Sequence, residues 1–295
     1  MGLYFVEEGH KYLSLPGEDP IDWISVTSVI QMFHEHFDAT TQAYKCSTGK
    51  SKTKVYLGLS VTDILELWDA ENKRATSCGH RYHLAQEKIW TSKAMAVHDG
   101  QYLPVFPPLM KGDAKIAPPQ RLTNGIYPEH FVYLNSAKLT GQSDEVFVFD
   151  KYFDVEDHKT NKKLEKESYR DRMNIAKKML GILSHLDDCN FMHYSIQLSL
   201  YAYMIRRQNY NLLPRNLFIK HVTFEVDKND KYGFPIYLRD QYGNEMVRDV
   251  VKHRVDYMEK EAIAIIQFLK ENPDFVREYK MKKSHGYTDT INTIS

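Results

Sequence analysis

Residues 141–159 read GQSDEVFVFDKYFDVEDHK, two runs rich in Val, Phe and Tyr that meet at Asp150-Lys151. Such runs, bounded by turn residues, predict strands over Gly141–Phe149 and Tyr152–Lys159, and the two residues between them fit a tight hairpin turn. Pairing outward from that turn sets Asp144 opposite Asp157, with Cβ atoms about 5 Å apart. Lys159 shares the face of Asp157, while Glu156 and His158 point to the other face. Two carboxylates opposed on neighbouring strands repel each other, and a bridging cation or a shared proton relieves the repulsion. Oxygen ligands favour Mg²⁺ or Mn²⁺ over zinc, and a lysine beside such an ion suits attack on a phosphate ester. The competing reading is an ordinary exposed Asp–Lys pair on a surface hairpin.

Working outward, Glu129–Leu134 reads as a third strand and makes a meander with the hairpin. Upstream, Ser60 and Asp63 form a capping pair, and apolar residues then recur at helical spacing, so one long helix is expected from Val61 to Trp90, with Gly79 a potential break. Gly79, His83 and Glu87 fall at steps of four on one face of it. Downstream, Leu164–Leu186 reads as a charged helix and Tyr194–Arg207 as a strongly apolar one. Gln197 and Tyr201 lie one turn apart on the latter, and a buried glutamine there must face a polar site. Strands are expected near Leu217–Val226 and Pro235–Arg239, then a helix from Val255 to Glu271 that Pro273 ends. Prolines 104, 107, 108, 118 and 119, with 128 at the edge, make Gln101–Tyr127 an irregular surface loop. Near the N-terminus, Tyr4–Leu13 reads as two aromatic-rich strands around a glycine turn. Ser25–Phe33 reads as a short helix or strand, and Lys45–Lys54 as a flexible connection.

The 295 residues carry 39 Lys+Arg against 39 Asp+Glu and are 42% hydrophobic, a composition that suits one large globular domain with insertions. Three cysteines with no CxxC spacing argue against a disulfide framework and against a four-thiolate zinc or iron-sulfur site. No apolar run approaches a membrane span and Met1–Glu8 lacks a signal-peptide pattern, so the expected location is cytoplasmic, with no membrane partner. Zero net charge removes the simplest argument for a nucleic-acid partner and leaves it to local runs. Lys45–Lys54 holds four lysines and no acid, and Lys162–Lys178 holds seven bases against three acids.

In chain order, Gly79-x-x-x-His83-x-x-x-Glu87, Glu129, Gly141-x-x-Asp144, Asp157-x-Lys159-Thr160 and Gln197-x-x-x-Tyr201 form a series that resembles the RecB-type branch of the PD-(D/E)XK nuclease superfamily. Ser25-Val26-Thr27-Ser28-Val29-Ile30 is similar to the start of its phage-encoded and mitochondrial-genome-maintenance exonucleases. The resemblance implies a restriction-endonuclease-like α/β fold, a central mixed β-sheet flanked by helices, with N-terminal accessory strands. Residues 1–58 would be an accessory segment, 59–279 the nuclease core with a basic insertion near 161–190, and 280–295 a flexible tail. By position, His83, Asp144, Asp157 and the backbone carbonyl of His158 would hold Mg²⁺ or Mn²⁺, with Glu129 serving a second ion. Lys159 would act on the attacking water and the scissile phosphate, with Gln197 and Tyr201 orienting Lys159 and the strand. Lys162, Lys163, Lys166, Arg170 and Arg172 would grip DNA. No cysteine follows Cys189, so the iron-sulfur cluster of some relatives is not expected. The implied activity is a metal-dependent deoxyribonuclease, an exonuclease at DNA ends or in single strands during replication, recombination or repair. It would leave a 5′-phosphate and a 3′-hydroxyl, with DNA as partner and recombination or replication proteins as further candidates. The alternatives are a structure- or site-specific endonuclease of the same fold and a catalytically silent nucleic-acid-binding domain.

Overall fold

The computed structural model describes residues 3–6, 11–112, 114–117, 120–171 and 173–284. The N-terminal part holds β1 (Leu3–Val6), β2 (Lys11–Ser14), β3 (Ile24–Ser25), α1 (Val26–Met32), α2 (Ala39–Ser47) and α3 (Val61–Thr91). Two hairpins follow, β4 (Met95–His98) with β5 (Gln101–Pro104) and β6 (Leu109–Lys111) with β7 (Ala114–Ile116), and then the meander β8 (Gly125–Leu134), β9 (Leu139–Phe149) and β10 (Tyr152–Lys159). The remainder is α4 (Asn190–Gln208), β11 (Leu213–Phe224), β12 (Val226–Asn229), β13 (Pro235–Tyr237), β14 (Val247–Val255), α5 (Glu259–Glu271) and α6 (Pro273–Ser284).

The β9–β10 hairpin has the register that a two-residue turn at Asp150-Lys151 predicts, from Tyr152 opposite Phe149 to Glu156 opposite Glu145. Asp150 makes the turn by adopting a left-handed backbone, φ 54°. β8 pairs antiparallel along the other edge of β9. β10 and β11 are parallel, which requires a crossover connection, and α4 lies in that connection. β14 is antiparallel on β11 and β3 is parallel to the first residues of β9, giving a six-stranded mixed sheet. Helices cover both faces. Val146, Val148, Phe153 and Val155 pack under α4, α1 and α5, while Phe147 and Phe149 pack on the β4–β5 hairpin and Tyr82 of α3 on Phe224. Burial on both faces explains why residues 146–149 are apolar at every position.

β1 and β2 pair as expected at the N-terminus, and the turn between them, 7–10, lies outside the described residues. They join β7 and β6 in a four-stranded antiparallel sheet that lays Leu3, Phe5 and Trp23 over Phe131 and Tyr133 of β8. Ser25–Phe33 begins as strand and turns into helix where the Ser25 side chain accepts from Ser28 N–H. Cys46, Cys78 and Cys189 are free and buried. No helix among the described residues is long and apolar enough to cross a membrane.

Six expectations are corrected. Gly79 does not break α3: a single glycine costs about 1 kcal/mol, which a 31-residue capped helix absorbs, and a Cβ at this position would sit 2.9 Å from Thr160 Oγ1. The proline-rich segment holds β5, β6 and β7 rather than a loop, because Pro104, Pro107 and Pro108 stand at the end of β5 or between strands, where no ladder donor is needed. Among the described residues, Leu164–Leu186 holds no α-helix, only a 3-10 turn at Gly181–Leu183 and isolated bridges from Arg170 to Ala176 and from Lys178 to Asp187. There Asp171 Oδ1 accepts from the N–H groups of Met173 and Ile175, in competition with helix, and Asn174 and Gly181 take positive φ. Lys45–Ser47 belong to α2 rather than to a flexible link. Finally, Val255 ends a strand, β14, whose exposed edge position lets charged residues mask its alternation, so the next helix starts at Glu259. Pro273 then opens α6, as proline at a first helical position can, and makes 280–284 helical; the rest of the expected tail, 285–295, lies outside the described residues.

Candidate active site

A strand has two edges, and those of β9 are used unequally. β8 occupies one edge, with partners from Leu139 to Val148. On the other, β3 pairs at Leu139 and Thr140 and β10 pairs from Glu145 to Phe149, which leaves Gly141–Asp144 without a strand partner. Pairing with β8 also lapses for one step, between Pro128–Glu145 and His130–Ser143, where Glu129 takes a left-handed backbone, φ 51°. Such a conformation costs a non-glycine residue about 1–2 kcal/mol, and strain of this kind concentrates at functional sites. By register, Glu129, Asp144 and Asp157 stand in a row across three neighbouring strands, at the point where both ladders part.

The freed Asp144 carboxylate accepts the His158 backbone N–H through Oδ2 at 2.6 Å, and its Oδ1 lies 3.3 Å from His83 Nδ1. Ligand atoms of His83, Glu129 and Asp144 all lie within 4.8 Å of one another. Gln142 Nε2 donates to Glu129 at 2.6 Å. Asp157, 2% exposed, forms an ion pair with Lys159, whose ammonium sits 4.7 Å from the centre of the Tyr194 ring. Gln197 Nε2 donates to Tyr201 OH at 2.8 Å, and the Tyr201 ring fills the space in front of Gly141, where a Cβ would come within 2.5 Å of it. All of these side chains except Tyr194 and His158 line a pocket of about 230 Å³, bordered also by Phe5 and Tyr12 of the accessory sheet and by Lys115, paired to Glu87 at 2.8 Å.

The electrostatics follow from burying acids together. Burial and then the Asp144 charge push the Glu129 carboxyl well above its ordinary range, and the same two causes raise Asp157 against the pull of Lys159. Asp144 is held far below the usual carboxylate range, because His83, His158 and Lys159 outweigh its burial. Burial opposes charge on His83, but the Asp144 carboxylate lifts its imidazole to about 9. Two carboxyls and an imidazole have ligand atoms close enough to share a cation, with the Asp157 carboxylate beside them held by Lys159, and oxygen donors with one nitrogen suit Mg²⁺ or Mn²⁺. The residues therefore fit such an ion.

Of the residues singled out in the sequence, His83, Glu129, Asp144, Asp157, Lys159, Gln197 and Tyr201 line this one pocket, and His158 reaches it through its backbone. Lys162, Lys163, Lys166 and Arg170 do not; they are exposed along the irregular segment that follows Lys159, with Lys166 over the Phe191 ring and Arg170 donating to the Asn174 carbonyl. Arg172 lies outside the described residues. Sequence reading passed over Tyr194, Gln142 and Lys115. Tyr194 shares the helical face of Gln197 and Tyr201, a spacing that could have found it. Lys115 had no signal, because its segment reads as a loop. A comparison of the chain with protein-family models, curated proteins and solved structures finds no match.

Proposed function

We propose that the chain is a Mg²⁺- or Mn²⁺-dependent deoxyribonuclease built on a restriction-endonuclease-like core, acting as an exonuclease on DNA ends or single strands. The observation that carries this reading is the convergence of His83, Glu129 and Asp144, with ligand atoms within 4.8 Å, on a pocket that also holds the Asp157–Lys159 pair. His83, Glu129, Asp144, Asp157 and the His158 carbonyl would hold the metal, which would polarise the phosphate and lower the pKa of attacking water. Lys159 keeps its charge in spite of burial, because Asp157 and Asp144 outweigh desolvation. Its ammonium, steadied over Tyr194, is set to offset charge on the phosphate as the bond to the leaving oxygen breaks. Asp157 restrains the lysine, and His158 N–H restrains Asp144. Tyr201 and Gln197 form the floor under Gly141, and the accessory sheet narrows the far side, an enclosure that favours a strand end over a continuous duplex.

The test is incubation of end-labelled linear DNA and circular DNA with the purified chain in Mg²⁺, Mn²⁺ or EDTA, beside Asp157→Ala and Lys159→Ala. The expected result is metal-dependent loss of linear DNA by the wild type and none by either folded variant. Cutting of circular DNA would turn the reading to an endonuclease, and equal cutting by variants and wild type would remove the assignment of this pocket.

A further inference from the structure

Residues 39–62 contain Lys45, Lys50, Lys52 and Lys54 and no acid, a run that the pocket leaves unused. All four lysines are exposed, and none makes an ion pair among the described residues. They sit at the end of α2 and on the loop that leads into α3. Aromatic packing fixes that loop in place: Tyr56 meets Trp68 of α3 edge-on at 5.9 Å and stacks on Tyr232 of the β12–β13 hairpin at 5.8 Å. The surface then leads back to the pocket over a hairpin of mixed charge, where Lys228 and Lys231 stand beside Asp227 and Asp230. Lys231 lies over the Tyr232 ring, Lys162 Nζ is 3.4 Å from the Gly233 carbonyl at the hairpin turn, and Lys162 follows Lys159 by three residues.

Exposed rings accompany the lysines. Tyr44 is 51% exposed with Lys50 above it, and Phe37 is 60% exposed against Trp68. The separation from the pocket is set by α3: Ile64 in the distal cluster and His83 in the pocket are 19 residues apart, about 28 Å at about 1.5 Å per residue. Lysines that track phosphates, with open rings for bases to stack on, suit a single strand, since a duplex hides its base faces.

We infer that this surface is a second binding site, a track for single-stranded DNA that runs from the pocket over the β12–β13 turn to the α2–α3 loop. It rests on the nuclease reading only in naming DNA as the polymer. At about 3.4 Å per nucleotide the span takes about eight nucleotides, fewer if the strand is stretched.

The test is fluorescence anisotropy of labelled oligothymidines of 4, 8, 12 and 16 nucleotides with the full chain in EDTA. The wild type is compared with the triple variant Lys50→Glu, Lys52→Glu, Lys54→Glu, its glutamine counterpart, and Tyr44→Ala. Wild-type affinity should climb between 4 and 12 nucleotides. Both triple variants should lose that climb, and their slope of log K against log salt should be shallower by about two, at about 0.7 per lost contact. Tyr44→Ala should bind the 16-mer about tenfold more weakly, and all proteins should bind the 4-mer alike. Equal affinity and slope at 16 nucleotides, no wild-type binding, or tighter binding of oligouridine each overturns the track. Because binding is read without metal, a chain that binds in this way yet cuts nothing in Mn²⁺ defeats the nuclease reading alone. A chain that cuts while its variants bind like wild type defeats the track alone.

Discussion

The two faces of β9 and β10 carry the same kinds of residue to opposite ends. On the face of Asp144, Asp157 and Lys159, carboxyls outnumber lysines and border an open pocket. On the other face Glu145 takes Trp90 Nε1 at 2.8 Å, His158 Nε2 at 3.1 Å and the Lys220 ammonium, and Glu156 takes Lys220 at 2.7 Å and Lys252 at 2.8 Å. Tyr82 OH completes the cluster at 3.3 Å from His158 Nδ1. Two acids meet two lysines there, with every carboxylate engaged. Neighbouring residues 144 and 145, or 156 and 157, differ only in the face they take, yet one member of each pair joins a cluster in which lysines match the acids and the other borders a pocket in which acids outnumber them. Charge balance separates the structural cluster from the site; burial does not, since Glu145, Glu156 and Asp157 are all 1–2% exposed.

The sharpest way to break this contrast is Asp157→Asn, which keeps shape and removes charge. DNA cleavage should fall by about 10³-fold with no loss in the urea midpoint, since a repelling carboxylate has gone. A folded variant that cuts at the wild-type rate would sink the distinction. On the opposite face, Lys220→Met removes the lysine that Glu145 and Glu156 share, leaving Glu145 to Trp90 and His158 and Glu156 to Lys252, and should cost about 3 kcal/mol by urea titration. Adding Glu145→Gln and Glu156→Gln should recover most of it.

That cluster also has a pH signature. Although burial opposes it, hydrogen bonding from His158 and the Lys220 charge hold the Glu145 carboxyl down at about 2, from an ordinary 4.5. A depressed carboxyl stabilises the fold fully above the ordinary value and loses that contribution as pH falls toward the folded one. Wild-type stability should therefore drop between about pH 4.5 and 2, and Glu145→Gln should flatten the drop.

Smaller effects refine the comparison. Gly141→Ala drives a methyl into the Tyr201 ring and should cost about 1–3 kcal/mol, with activity falling as the floor of the pocket shifts. Glu129→Gly removes both the left-handed strain and a carboxyl beside Asp144. Thermal unfolding should show a gain of about 1 kcal/mol while calorimetry shows weaker Mn²⁺ binding; a loss of stability instead would mean that Glu129 is held by its hydrogen bond from Gln142 and not for a cation.

Much of the fold was legible because it is local. The two-residue turn at Asp150-Lys151 sets the register that brings Asp144 and Asp157 into line, and the Ser60–Asp63 capping box starts α3 where the apolar spacing begins. The failures have equally local causes. Asp171 and Asn174 pull the segment after Lys159 out of the helix that its composition suggests, and β14 hides on an exposed edge where charged residues are tolerated.

What the amino-acid order determined by itself was therefore the hairpin, the two long helices and the identity of the acids and the lysine, since periodicity and capping act over a few residues. Only the tertiary structure decided that β3 and β10 leave four residues of β9 without a partner on that edge, that Glu129 turns against its own backbone preference, and that Tyr194 lies under Lys159. Those outcomes depend on segments up to about a hundred residues apart competing for the same edges and faces, a contest that short-range pattern does not encode.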